Sequence, residues 1–368
     1  MGFDTVFDPH NWAAVPFHFW SLVFFAFGCI VGSFLNVCIY RMPLDLSVVS
    51  PPSHCPHCKY SIPFYLNVPL LTWLTLRGKC KNCGAPISPR YFIVELLTGL
   101  AFLACWLAFG HASPWLAPVY CLFLAGLIVA TFIDFEHFII PDEITFGGAA
   151  VGFIISFFLP QLHGTQRGSE GAVLSLAGIA AGAGIVYAVL RLGKLLFGRQ
   201  KVKLNGEAKI VFTETALCLP GQEIPYEEIF YRKTDTIVLE ARTVELVDRS
   251  YRDVKLRLSP HHLKIGDEEI DPETVPHLEA VCSEVVLPRE AMGLGDVKFM
   301  AAIGAFIGWQ GAVFSLMASS LIGSVAGIAM ILLRKREWSS RMPYGPYIAA
   351  AAALWLFGGK NLFTALFH

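Results

Sequence analysis

Hydrophobic positions in this chain come in long blocks, with alternation confined to one stretch. Runs near 17–40, 91–109, 115–133, 143–160, 171–193, 297–307, 311–333 and 344–358 are almost free of charge. A bilayer core about 30 Å thick needs about 20 apolar residues in a helix, with a lower limit near 17. Several blocks meet that length. A single helix over 297–333 would be roughly 55 Å long at about 1.5 Å per residue, too long for one crossing. The break "GWQG" (308–311) therefore divides it into two limbs. The pattern predicts an all-α polytopic membrane protein with about eight transmembrane helices.

Two polar insertions interrupt the blocks and set the organisation. Residues 1–43 hold an N-terminal segment and the first span, and 44–90 a cysteine-containing loop. Residues 91–194 hold spans two to five, 195–288 a second insert, and 289–368 the last three spans. In the second insert, "TIVLEARTVELV" (236–247) and "DVKLRLS" (253–259) alternate with period two. They read as antiparallel strands, with turns at "PGQ" and "IGDEE". Residues 272–284 read as a short amphipathic helix. The insert is expected to be a small β-rich domain, of pleckstrin-homology or small-barrel type.

Charge orients the spans. Lys and Arg gather in one set of alternate connections, at Arg41 to Arg90, Arg191 to Lys203 and Arg334 to Arg341, and the 135–142 turn falls in the same set. The opposite connections carry only Arg167 and Lys360. Basic loops stay in the cytoplasm, so both inserts are expected there and both chain ends outside. Asp4 and Asp8 stand where a basic signal region would be, so the first span reads as a retained anchor. Composition agrees, with 55% hydrophobic and 15% charged residues; a net charge of −1 offers no general basis for nucleic-acid binding.

The first insert carries "CPHC" (Cys55, Cys58) and "CKNC" (Cys80, Cys83). Two such pairs 21 residues apart are a zinc pattern. Four thiolates fill a tetrahedral ion and leave no position for water, so the metal's role is structural. A reducing cytoplasm argues against two disulfides. His54 and His57 are expected to be solvated neighbours. The other six cysteines show no metal spacing.

Two aspartates lie at the edges of apolar runs: Asp134 in "IDFEHFIIPD" (133–142) and Asp296 in "GLGDVK" (293–298). Ionisable groups at membrane depth are costly and point to function. Both fall at the cytoplasmic ends of their spans. Neighbouring carboxylates do not both ionise readily, so one keeps its proton. One can then take a proton from water while the other donates to a scissile carbonyl. Gly293 and Gly295 would let a substrate backbone approach. Lys298 would tune a nearby carboxylate or extend to the interface. Glu95, Glu136 and Asp142 are rival carboxylates, with Asp142 placed to cap a helix.

Five ordered blocks carry a resemblance: "GSFLNVCIYRMP" (32–43), the two CxxC pairs, "RGKCKNCGAPISPRYFIVELLTG" (77–99), "IDFEHFIIPD" and "REAMGLGDVK" (289–298). Together they resemble the type IV prepilin leader peptidases, a family of GxGD aspartyl proteases of the bacterial inner membrane. The resemblance implies removal of the leader peptide from type IV prepilins and pilin-like secretion subunits at the cytoplasmic face. It implies Asp134 and Asp296 as the catalytic pair. It also implies N-methylation of the new N-terminus from S-adenosylmethionine, although no glycine-rich nucleotide loop follows a strand. Gly32, Asn36, Arg41, Arg90 and Glu95 fall in matching blocks and are the candidates for that second site. The insert of about ninety residues at 195–288 departs from the family pattern, which joins these spans by a short loop. A carboxylate-based transporter or metal permease would use the same aspartates, but it would place them at mid-bilayer. A zinc metalloprotease is excluded by the filled metal site and the lack of HExxH. A protease-dead scaffold would not need both aspartates.

Overall fold

The computed structural model describes residues 17–197, 199–230, 235–246, 248–275, 277–288, 293–333 and 342–367. The N-terminal acidic segment and the basic run 334–341 lie outside the described residues. The chain divides into two units, 1–186 with 294–368, and 187–293.

The first unit is helical. It contains α1 (Phe17–Arg41), the short α2 (Leu71–Thr75), α3 (Pro89–Phe109), α4 (Leu116–His137) and α5 (Asp142–Phe158), and most of α6 (Gly168–Phe197). After the insert come α8 (Leu294–Leu332), α9 (Gly345–Leu354) and α10 (Lys360–Phe367), α7 being a single turn within the insert. Among the described residues, six helices are long and apolar enough to cross a membrane. Their outward faces carry exposed large apolar side chains, such as Phe27, Ile30 and Phe34 on α1 and Leu321, Val325 and Ile328 on α8. A water-soluble protein does not expose apolar surface on this scale, so the unit is a multi-pass membrane domain.

Small residues let the helices approach. A Cβ on Gly28 would lie 2.8 Å from Gly99 Cα, and one on Gly32 would lie 2.7 Å from Glu95 Cα. These contacts seat α1 on α3. The α6–α8 crossing uses paired GxxxG sequences, Gly178/Gly182 against Gly304/Gly308. A Cβ on Gly304 would sit 2.1 Å from the Gly178 carbonyl oxygen. Helix α8 breaks where the pattern requires, at Gly308, whose φ of 72° and ψ of 179° are not helical. Ser175 and Ser156 donate to the Ala305 carbonyl beside this break, at 3.0 and 3.4 Å.

The second unit is a fully antiparallel eight-stranded sheet in the order β3-β2-β1-β8-β4-β5-β6-β7. The alternating segments form β4 (Ile237–Glu245) and β5 (Ser250–Leu258). The "PGQ" turn joins β2 (Ala216–Leu219) to β3 (Gln222–Pro225), and the "IGDEE" turn joins β6 (Leu263–Ile265) to β7 (Glu268–Ile270). Two expectations are corrected. Only Pro272–Thr274 is helical within 272–284, and Leu278–Pro288 is β8, an inner strand between β1 (Arg199–Phe212) and β4. The sheet is also open rather than a closed barrel, with β3 and β7 as its edges among the described residues. Its core includes Ile210, Leu217, Leu239, Leu256, Ile265 and Val285.

Candidate active site and metal centre

Asp134 lies one turn before the end of α4. Phe138 closes that helix in the left-handed conformation, its N–H donating to the Asp134 carbonyl oxygen at 3.0 Å. The chain then turns through Ile139–Pro141, with Ile140 buried in the turn, and enters α5. Asp296 lies in the first turn of α8. Both aspartates are buried, at 5% and 8% exposure.

Ile140 lies against Gly295 and Gly345, the glycines that flank Asp296 in sequence and Asp134 in space. A Cβ on Gly295, the residue before Asp296, would lie 3.7 Å from Ile140 Cβ. A Cβ on Gly345 would lie 3.2 Å from Ile140 Cδ1 and 2.7 Å from Asp134 Oδ2. The end of α4 and the starts of α8 and α9 therefore meet around one side chain. Gly345 opens α9, and its N–H donates to Asp134 Oδ2 at 2.9 Å. The N-terminus of a helix is a natural seat for a carboxylate. Tyr344 next to it is held to α8 by hydroxyl contacts of 3.0 Å with Ser319 and Ser320. Sequence reasoning missed Gly345. Its signal was "YGP" before an apolar run, with Pro346 at the second helical position, where proline favours a helix start.

The rival carboxylates are engaged elsewhere. Glu136 is bonded to Arg90, joining the end of α4 to the start of α3. Asp142 is not a capping residue. It is the first residue of α5, no side-chain bond caps that helix, and its carboxylate accepts from Lys298 Nζ at 2.7 Å. Lys298 also lies 5.1 Å from the Phe146 ring centre. Gly293 is exposed just before α8.

Three residues of the second candidate set come together on the α1–α3 contact. Asn36 Nδ2 donates to the Gly32 and Tyr91 carbonyls at 3.2 and 3.1 Å. Glu95, buried on α3 against Gly32, accepts from the Leu70 N–H at 2.7 Å. Leu70 has φ 61° and ψ −52°, and the Leu71 N–H donates to the Pro69 carbonyl at 2.6 Å. Such a γ-turn is rare and strained for a residue with a side chain, so the Glu95 carboxylate holds the loop in place. Arg41 is buried and spent on the loop, donating to the Ser47 and Pro51 carbonyls at 2.9 and 2.7 Å.

The four loop cysteines form one cluster, with all sulfurs within 4.8 Å of one another. Cys55 and Cys83 sulfurs are 3.8 Å apart, and Cys58 and Cys80 sulfurs 4.0 Å. A tetrahedral ion with metal–sulfur bonds of about 2.3 Å holds its sulfurs about 3.8 Å apart, so the cluster fits a metal ion. The two halves repeat one turn. Lys59 and Gly84 each follow the second cysteine in the left-handed conformation, and each donates its N–H to the first cysteine's carbonyl. The Asn82 side-chain amide and then the Tyr60 backbone bring the Cys58 thiol down to about 6. Backbone N–H groups of Cys83 and Asn82 lower Cys80 as well. The Ala85 amide favours the Cys83 thiolate, but desolvation and the neighbouring sulfurs outweigh it and hold Cys83 at about 11. All four sulfurs could be thiolates together only with a cation among them. His57 is exposed, and His54 faces the Pro52 carbonyl.

A multi-span helical domain with two buried aspartates at helix ends that approach Ile140, in a chain that also carries a four-sulfur cluster, defines a polytopic membrane protein with a candidate acidic site. Comparison with known proteins gives the family. The model of the bacterial peptidase A24 N-terminal domain matches residues 26–109, and that of the type IV leader peptidase family matches 121–208 and 278–328. The chain belongs to the type IV leader peptidase family. Most of the β insert falls in the gap of that match. Similar proteins include prepilin leader peptidase/N-methyltransferases from three organisms. That of Aeromonas hydrophila is 28% identical over 95% of this chain and 93% of its own length. That of Myxococcus xanthus is 41% identical over 49% and 57%. That of Dichelobacter nodosus is 34% identical over 47% and 67%. No solved structure matches the chain.

Proposed function

We propose that this chain is an intramembrane aspartyl endopeptidase that removes the leader peptide of type IV prepilins and pilin-like secretion subunits, and then N-methylates the new N-terminus. The observation that supports the peptidase reading is that Gly295, next to Asp296, and Gly345, whose N–H donates to Asp134, both lie against Ile140. One carboxylate accepts a proton from water as the oxygen attacks the peptide carbonyl, and the other donates a proton to the carbonyl oxygen. As the tetrahedral adduct collapses, the carboxyl that took the proton from water gives it to the departing amine, and the adduct's hydroxyl returns a proton to the other carboxylate. The Gly345 N–H fixes the orientation of the Asp134 carboxylate. Lys298 and Gly295 support the site indirectly, through Asp142 and Ile140.

The methylation reading rests on the family and on two buried atoms. Asn36 Oδ1 and Arg90 Nε have no hydrogen-bond partner among the described residues. Buried polar atoms are nearly always paired, so this acceptor and donor suit a ligand such as S-adenosylmethionine, held with Gly32 and Glu95. When bound, that group supplies an electrophilic methyl. We assign zinc to the four cysteines on the thiolate ligand set and the sulfur spacing. An eight-span topology follows if α5 crosses and the two limbs of α8 each cross, with the acidic site at the cytoplasmic face of the bacterial inner membrane.

Cleavage of a purified prepilin, read by mass spectrometry of the mature N-terminus, tests both activities. Asp134→Asn and Asp296→Asn should each lower the cleavage rate by about 10³-fold or more, the scale of positioned acid–base catalysis. The product should gain one methyl mass only with S-adenosylmethionine present. Full cleavage by either variant would remove that aspartate from the mechanism.

A further inference from the structure

A cavity of about 280 Å³ lies between α1, α4, α5 and α8, and its wall is almost wholly apolar. Its position relative to the aspartates follows from helical spacing. Counting from Asp296 along α8, positions three, seven and ten residues on are Phe299, Ile303 and Phe306, and all three line the cavity. Counting back from Asp134 along α4, positions seven and eleven residues earlier are Leu127 and Phe123, and both line it. Residues at such spacings share a helix face. The cavity wall thus continues the two faces that carry the carboxylates.

Two glycines open the cavity. A Cβ on Gly126 or on Gly147 would meet no atom within 4 Å. Neither glycine serves a close contact within the chain, in contrast to Gly178 and Gly304. Both leave room for a group from outside. A cavity of about 150 Å³ takes one benzene-sized group, so this one takes about two. One acidic side chain, Glu143, lies in its wall at the start of α5.

We propose that this groove receives the apolar helix that follows the cut bond in the substrate, seating two bulky side chains one helical turn apart. The inference rests on the peptidase reading and deepens it. The carboxylates define the bond cut, and the groove selects substrates whose mature part continues as an apolar helix. Continuity of the groove with the aspartate-bearing faces singles out the substrate helix over a lipid chain.

The test uses the full chain and two substrates. One is an intact prepilin, and the other is a soluble peptide that spans the cut bond but stops before the apolar segment. Gly126→Leu and Gly147→Leu fill the groove. The ratio of kcat/KM for prepilin to that for peptide should fall at least about ten-fold in each, the scale on which an apolar pocket discriminates. Leu321→Phe, exposed on the outer face of α8 and away from the groove, should leave the ratio unchanged. A wild-type ratio in both groove variants would overturn the proposal.

A photo-crosslinking residue at Leu122, exposed on the groove rim, gives a second reading in the Asp296→Asn background. Adducts with the substrate's apolar segment near the cut bond are expected, and adducts with lipid alone would overturn the proposal. This reading decides the matter if a filled variant cleaves neither substrate. If the wild-type chain cleaves neither substrate, the peptidase reading fails, and the crosslink still reports whether an apolar helix enters the groove.

Discussion

Gly345 places the sharpest demand on a single residue. A methyl group there would lie 2.7 Å from Asp134 Oδ2, well inside contact distance. The carboxylate must move, and the backbone N–H that orients it moves with the strain. A misplacement of about 1 Å at a reacting group costs about 10²-fold in rate. Gly345→Ala should therefore lower kcat for prepilin cleavage by about 10- to 100-fold, with KM nearly unchanged. A wild-type kcat would mean the N–H contact plays no part. The cysteines make a second demand. The four sulfurs all lie within 4.8 Å of one another, and a four-thiolate site needs every one of them, so Cys55→Ser should abolish binding of one metal equivalent, read by elemental analysis of the purified chain. The loop is too short to hold itself by apolar burial, so 44–88 should also become the first site of proteolysis. Retained metal at full stoichiometry would contradict the four-thiolate site.

Between elements, the α6–α8 crossing is the contact least tolerant of added volume. Gly178 and Gly304 each face the other's carbonyl oxygen, with no room for a side chain. Gly304→Leu should destabilise the helical unit by ~3 kcal/mol, the upper range for overpacking. A lowered midpoint of thermal unfolding in detergent checks this, and an unchanged midpoint would place the helices farther apart. The strand β8 shows why one element was misread. Its buried residues are Leu278, Ala280, Cys282, Val285 and Leu287. The period of two is broken between Cys282 and Val285, where the pairing with β1 and β4 shifts register. Such a bulge inserts one extra residue, and the resulting three-residue step imitates helical spacing. Pairing on both sides decided the matter, and a linear pattern does not carry it.

At the scale of the molecule, the β insert enters and leaves through neighbouring strands. Arg199 pairs with Pro288, so its two ends lie side by side. Domains with adjacent ends are readily inserted or removed. Replacing 199–288 with a tight turn should leave cleavage of a short prepilin peptide within about three-fold of the wild type, a change under ~1 kcal/mol in the barrier. Loss of that cleavage would give the insert a direct part in the chemistry. Blocks of apolar residues, the break at Gly308, the four cysteines and the two interfacial aspartates were all legible in the linear chain. Each is a local property of composition or spacing: span length, ligand interval, or a charge at the edge of an apolar run. The chain alone could not tell that Lys298 belongs to Asp142 or that Glu136 belongs to Arg90. Nor could it reveal that a backbone N–H more than two hundred residues away orients Asp134. Those partners lie far apart in sequence and meet only when the helices pack. The tertiary structure alone decided that Glu136 pairs with Arg90 and Asp142 with Lys298, because helix packing sets those distances.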